Sequence, residues 1–151
     1  MKVAVVGPRK GGDTEVAADF CRELYRQNPD IVLLSGGAKG IDATAEFIWS
    51  QLGGRVWSYR ITQRDPGSWQ IEKWEYGGDL PPKRYVLQAE PDFADPRSAL
   101  FYRSMLVAEA ADRVVGFAGK LTMRGTEFTL TYASDQGKPI HVWREGTWQD
   151  Q

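Results

Sequence analysis

Two short stretches hold the residues best suited to chemistry. One is Gly7-Pro8-Arg9-Lys10-Gly11-Gly12; the other is Ser35-Gly36-Gly37-Ala38-Lys39-Gly40, which runs into Ile41-Asp42. Each follows a short apolar run and opens a helical pattern. A glycine-rich loop at such a place lets backbone N–H groups approach an anion, and the following helix start favours negative charge. Phosphate is the natural occupant, carried by a nucleotide or another phosphorylated small molecule. The bland alternative is a pair of tight turns that only connect a sheet. Neither loop has the Gly-Lys-Ser/Thr ending of a P-loop, and neither has the Gly-x-Gly-x-x-Gly dinucleotide spacing.

Single residues near these loops carry two readings each. Asp42 can contact a ribose hydroxyl or an attacking water, or it can be an early-helix acid favoured by the dipole. Ser35 can bond phosphate or close its own loop. Thr126 can hold phosphate or act as an ordinary N-cap. Glu46, one turn beyond Asp42, reads as a solvated charge. His141 reads as structural or surface, and Cys21 as a core residue with nothing beside it to activate it. Glu72, Glu75 and Asp79 read as a solvated loop, with an acidic lid as the other option. Trp69 or Trp74 can stack on a base.

The elements that must position these residues follow from pattern. Lys2–Val6, Ile31–Leu34, Val56–Ile61, Arg113–Ala118 and Ile140–Trp143 are short apolar runs that predict buried strands. Helices are expected from Asp13 or Thr14 to Gln27, over Ile41–Leu52, from Pro96 or Arg97 to Ala111, and over Gly125–Gln136. The alternation predicts a parallel sheet with helices on its faces. Thr62 to Arg84 breaks the pattern with prolines, glycines and two tryptophans, and predicts a long connection or insertion. Tyr85–Ala89 is a further candidate strand.

Composition narrows the function classes. The chain has 151 residues and a formal net charge of -1, which fits one domain and argues against a strongly electrostatic nucleic-acid binder. One cysteine and one histidine exclude an internal disulfide and a multi-His metal centre. No metal and no cofactor is expected. No apolar run reaches the roughly 18 residues of a membrane span, and the N-terminus does not read as a signal peptide. A reduced, cytoplasmic protein without membrane partners is the expectation. Six tryptophans are expected to fill a core or an oligomer interface.

The Ser35–Asp42 loop closely resembles the Ser-Gly-Gly-Ala-Arg-Gly-Ile-Asp signature of the DNA-processing protein A (DprA/Smf) family. Val3–Arg9 resembles that family's first strand and loop. Phe101-Tyr102-Arg103 through Asp112, then Arg124-Gly125-Thr126 and Gly137-Lys138-Pro139-Ile140, resemble the C-terminal half of the wider SLOG superfamily, which includes LOG phosphoribohydrolases, YspA-like small proteins and molybdenum-cofactor carriers. The resemblance implies one Rossmann-like domain over residues 1–151, a doubly wound, mainly parallel α/β sheet with helices on both faces. It excepts an insertion at about 62–95. It also implies a homo-oligomer, usually a dimer.

For the site, the resemblance implies a ligand held by Gly7, Arg9, Ser35, Gly36, Gly37, Lys39, Gly40, Asp42, Arg124, Gly125 and Thr126. Arg9, Lys10, Lys39, Arg103 and Arg124 can converge there as a basic cluster, or stand as scattered surface charges. Three activities fit: nucleotide binding or sensing; N-glycosidic hydrolysis of a nucleoside 5′-monophosphate; and, with single-stranded DNA as partner, DprA-like binding. For hydrolysis the candidate catalytic residues are Arg103 and Glu127. Arg103 lies nine residues before Asp112, the family's offset. The family's catalytic Glu is replaced by Thr129, and its Pro-Gly-Gly by Leu121-Thr122-Met123. Glu127 stands two residues too early, about 200° around a helix.

Overall fold

The computed structural model describes residues 1–87, 92–118 and 124–150. The chain runs β1 (Lys2–Val6), α1 (Thr14–Gln27), β2 (Val32–Ser35), α2 (Ile41–Gln51), β3 (Arg55–Asp65), β4 (Ser68–Gly77), β5 (Lys83–Val86), α3 (Pro96–Ala110), β6 (Arg113–Ala118), α4 (Arg124–Asp135), β7 (Ile140–Arg144) and β8 (Thr147–Asp150). One eight-stranded sheet takes the order β5-β4-β3-β2-β1-β6-β7-β8. The middle five strands are parallel. The outer strands join antiparallel.

Strand periodicity divides the core into two layers. Val3, Val5 and Leu33 face α1 and α2, where Cys21, Ala45 and Trp49 meet them. Ala4, Val6 and Leu34 face α3 and α4, where Val107, Ala108, Leu130 and Ala133 meet them. Both faces of the sheet are therefore covered, which is why the central strands are apolar at nearly every position. Asp13 caps α1 by accepting from the Val16 N–H at 3.2 Å. Cys21 is fully buried, and burial pushes its thiol up to about 12. The Rossmann-like, mainly parallel sandwich expected from sequence is the observed fold.

Two parts of the sheet differ from expectation. Residues 62–84 are largely strand rather than connection. β3 continues to Asp65, Pro66-Gly67 turns the chain, and β4 returns in register from Asp65↔Ser68 to Arg55↔Gly77. Pro66-Gly67 suits a type II turn, with proline first and a glycine at φ +77° second. The prolines and glycines of this stretch stand at the strand ends, so they delimit strands instead of breaking them. Of the expected Tyr85–Ala89 strand, Tyr85 and Val86 belong to β5, Leu87 lies beyond it, and the remaining two positions lie outside the described residues. The second difference is β8, which pairs with β7 across a Glu145-Gly146 turn.

The tryptophans divide between these layers and the added strands. Trp49 is fully buried, Trp148 is 40% exposed, and Trp57, Trp69, Trp74 and Trp143 are half-buried. Trp148 closes an aromatic cluster with Phe20, Phe117 and Trp143. Among the described residues no helix is long and apolar enough to cross a membrane.

Candidate functional site

Strand order reverses at β1, with β2 and β3 to one side and β6 and β7 to the other. Connections leaving neighbouring strands there go to opposite faces, which opens a crevice at the carboxyl ends. A cavity of about 740 Å³ occupies it. Val6 to Arg9 form one wall, and Gly36, Gly37, Ala38 and Asp42 form the next. Gly125, Thr126 and Thr129 come from the first turns of α4, while α3 adds Arg97, Leu100, Arg103, Ser104 and Val107. The β3–β4 hairpin contributes Arg60, Ile61, Thr62 and Trp69.

The loops are built to meet. Gly40 has φ +79°, and a side chain there would run into the Pro8 carbonyl. That same carbonyl accepts the Ile41 N–H at 3.3 Å, which ties the first glycine loop to the start of α2. Gly7 lies against Ile41, with 2.5 Å between a would-be Cβ and the Ile41 Cβ. Ser35 is fully buried, and its Oγ accepts the Gly37 N–H at 3.0 Å. Its observed bond is thus the loop-closing one.

Asp42 and Arg103 face each other across Gly36. Asp42 is 4% exposed, and its Oδ2 accepts the Ala38 N–H at 3.3 Å. A Cβ on Gly36 would sit 3.0 Å from Asp42 Oδ2 and 3.2 Å from Arg103 Nε. Asp42 Oδ1 and Arg103 Nε are both buried without a hydrogen-bond partner within the protein. Burial pushes the Asp42 carboxyl up to about 7, against the pull of the Arg103 guanidinium and the Ala38 N–H. Burial also lowers the Arg103 pKa, with Asp42 opposing and Arg9 adding to the shift. A guanidinium remains charged even so.

The Asp42 shift has a stability consequence. Its pKa is higher folded, at about 7, than its ordinary 3.8. The folded chain therefore holds this proton more tightly, and the stabilisation is present below about pH 4 and lost as pH rises through about 7. Asp42→Asn should be more stable relative to wild type at pH 8 than at pH 5, by about 1–4 kcal/mol, since each pKa unit is worth ~1.4 kcal/mol. Urea titrations at the two pH values measure it, and identical pH profiles for the two proteins would count against this assignment.

Of the residues singled out by sequence, Gly7, Arg9, Gly36, Gly37, Asp42, Arg103, Gly125 and Thr126 line the cavity. Lys10 and Lys39 are exposed and are not among its lining residues, and Gly40 supports the loop from behind. The Arg124 side chain and the Leu121-Thr122-Met123 segment lie outside the described residues. Glu127 Oε1 accepts from Arg144 Nη2 on β7 at 2.6 Å, and Glu127 is not among the cavity lining. Thr129, in the place of the family's glutamate, is buried and donates to the Gly125 carbonyl at 2.8 Å.

Two expectations for acidic residues are corrected. Glu46 is not solvated but 7% exposed. Ser58 and Tyr76 donate to its carboxylate at 2.8 and 2.6 Å, and Arg60 Nη2 stands 3.6 Å away. Glu72 is also buried, taking a bond from Thr62 Oγ1 at 2.8 Å, with Arg84 Nε at 3.3 Å. Both burials come from the added strands: Tyr76 of β4 bonds to Glu46, while Glu72 stands on β4 itself between Thr62 of β3 and Arg84 of β5. Arg60 is a site residue that the loop motifs do not contain, although it lies within the expected Val56–Ile61 strand. Glu46, Ser58 and the Trp74 ring, 5.1 Å away, hold its guanidinium at the cavity edge.

Among the described residues, Arg9, Arg60, Arg97 and Arg103 line the cavity and Asp42 is its one carboxylate. That balance attracts an anion. Ile61, Trp69, Leu100 and Val107 give an apolar side to the same space. Among the described residues no three His, Cys, Asp or Glu side chains come together to hold a metal ion.

No family model matches the chain, and comparison with curated protein sequences gives no significant match. Solved structures do match. DNA processing protein A from Helicobacter pylori, in a structure describing its single-stranded DNA binding mode, superposes with a TM-score of 0.61 at 22% identity over 94% of this chain. The chain shares its fold with the matched part of DNA processing protein A. The Streptococcus pneumoniae DNA processing protein A gives 0.60 at 21% identity over 93% of the chain. A molybdenum cofactor binding protein from the phototrophic bacterium Rippkaea orientalis gives 0.57 at 18% identity over 95%. The chain spans 49% of the Streptococcus protein, 64% of the Helicobacter one and 76% of the Rippkaea one. The Rossmann-like assignment drawn from the loop motifs thus holds at the level of fold.

Proposed function

We propose that the chain binds a nucleotide or nucleotide derivative in the crevice beside β1, as a binding or sensing protein of the SLOG type. The observation that carries this is the make-up of one cavity. Glycine loops from two strand ends and the start of α4 border a space lined, among the described residues, by four arginines and one carboxylate. The phosphate sits against Gly36–Ala38 and the Gly125-Thr126 helix start, with Arg103 supplying charge. The base lies toward Trp69, Ile61 and Leu100, since ligand sites pair a few polar groups with an apolar wall. The fold likeness to a molybdenum cofactor binding protein and to DNA processing protein A is compatible with this reading.

Thermal unfolding with a panel of nucleoside mono-, di- and triphosphates tests it. A ligand at 100 times its Kd adds about 2.7 kcal/mol to stability. At least one member of the panel should shift the melt by several degrees. No shift with any member overturns the proposal.

Two other readings use the same arginines. Single-stranded DNA binding is favoured by the DNA processing protein A fold and expects affinity that falls steeply with salt. A flat salt titration removes it. Hydrolysis of a nucleoside 5′-monophosphate would draw on Asp42 rather than Glu127, because Asp42 borders the cavity and Glu127 is engaged with Arg144. It expects release of free base from AMP or CMP.

A further inference from the structure

We infer that Arg60 is a second anion-binding point, so that the cavity prefers nucleotides carrying two phosphoryl groups to nucleoside monophosphates; this rests on the nucleotide reading above. That reading gives the first phosphate to the glycine loop, the start of α4 and Arg103, and leaves Arg60 without a role. Yet the protein holds this side chain firmly in place. Its Nε donates to Ser58 Oγ at 3.0 Å, its Nη2 stands 3.6 Å from Glu46 Oε1, and its guanidinium lies 5.1 Å from the centre of the Trp74 ring. Glu46 is itself 7% exposed and fixed by Ser58 and Tyr76.

A guanidinium is a planar fork with five N–H donors. Nε and Nη2 lie along one edge, and that edge serves Ser58 and Glu46. Nη1 is left over, on a side chain that is 39% exposed and lines the cavity. Pairing with Glu46 does not exhaust the charge. That carboxylate already accepts from two hydroxyls, and 3.6 Å is beyond the reach of an N–H···O bond. Glu46 thus orients the arginine without consuming its donors, and a side chain set in advance gives up little freedom when a ligand binds.

The location suits a second phosphoryl group beside the first. A Cβ on Gly36 would lie 3.2 Å from Arg103 Nε, and one on Gly37 would lie 2.7 Å from Arg60 Cγ. The two arginines therefore border consecutive residues of one loop. Charge points the same way. Among the described residues the lining carries four arginines against one carboxylate, while a single phosphate monoester brings about −1.5 to −2. A second phosphoryl group offsets more of that excess. The cavity, at about 740 Å³, stands in the upper part of the ~300–1,000 Å³ range of ligand sites. The competing account makes Arg60 no more than the counter-ion of Glu46, and it gives no preference between one phosphoryl group and two.

Titration calorimetry without divalent cations, using AMP, ADP and adenosine 3′,5′-bisphosphate and the matching uridine compounds, tests the inference. Wild type should bind at least one doubly phosphorylated form roughly 10–100-fold more tightly than the monophosphate. In Arg60→Met that advantage should shrink to within about threefold, with monophosphate affinity within about threefold of wild type. Arg60→Met alone leaves Glu46 buried without its cation, so the second variant combines it with Glu46→Gln, which strands no buried charge. The double variant should show the same loss. Equal affinity of wild type for one and two phosphoryl groups overturns the inference and leaves nucleotide binding standing. So does an advantage that survives in both variants, or a loss that falls equally on the monophosphates. Failure of every nucleotide to bind overturns both.

Discussion

Arg103→Met should lower nucleotide affinity at least 30-fold while leaving the fold intact. The two halves of this expectation come from one observation. Arg103 sits half-buried on α3 facing the crevice, with its Nε buried and without a partner inside the protein. Few internal hydrogen bonds are lost when it is removed, and methionine keeps much of the stem's packing. A ligand phosphate, by contrast, loses a charge-assisted donor in a partly desolvated site. Truncating such a partner costs about 2–5 kcal/mol, or some 30-fold to several thousand-fold in affinity. A second effect travels with it. Arg103 opposes the burial of Asp42, so in the variant the Asp42 carboxyl should titrate above about 7. Calorimetry reads the affinity and carboxyl carbon chemical shifts read the titration. An Arg103→Met protein that binds as wild type does would remove Arg103 from the site.

Gly40→Ala should destabilise the chain by about 3–5 kcal/mol. A φ of +79° at this position is costly for any residue with a Cβ, about 1–3 kcal/mol. The added methyl would also meet the Pro8 and Arg9 carbonyl oxygens. Relieving that overlap pushes the first glycine loop away from α2 and stretches the Ile41 N–H bond to Pro8. Unfolding in urea measures the loss. Gly67→Ala is the internal comparison. Gly67 has φ +77° but nothing within 4 Å of a would-be Cβ, so it carries strain without the clash. Its cost should stay near 1 kcal/mol. Equal costs at the two positions would mean that the loop-to-loop contact contributes little.

Much of this architecture is legible in the sequence because the central strands are covered on both faces. Burial on two sides makes Val3–Val6 and Leu33–Leu34 apolar at each position, and such runs stand out. The glycine loops are legible for a different reason: contacts such as that of Gly40 with Pro8 admit no side chain. The hairpin is the opposite case. β4 lies near the sheet edge with Glu72, Lys73 and Glu75 along it, so its composition looks solvated. Its charges are hidden by pairing, Glu72 with Arg84 and Lys73 with Glu75, and pairing is a tertiary fact that no single segment displays. The Asp65-Pro66-Gly67 turn between two aromatic-rich runs was the available signal. From that hairpin came Arg60 and the placement of Trp69, the part of the site that the loop motifs did not contain. Glu46 shows the same limit, since its spacing from Asp42 on α2 says nothing of Ser58 and Tyr76.

The most direct measurement is a crystal structure of the chain with a bound nucleoside 5′-monophosphate. The expected result is phosphate density against Gly36–Ala38 and the start of α4, within hydrogen-bond reach of Arg103. A nucleotide bound away from β1, or with its phosphate outside the glycine loops, would contradict the central claim.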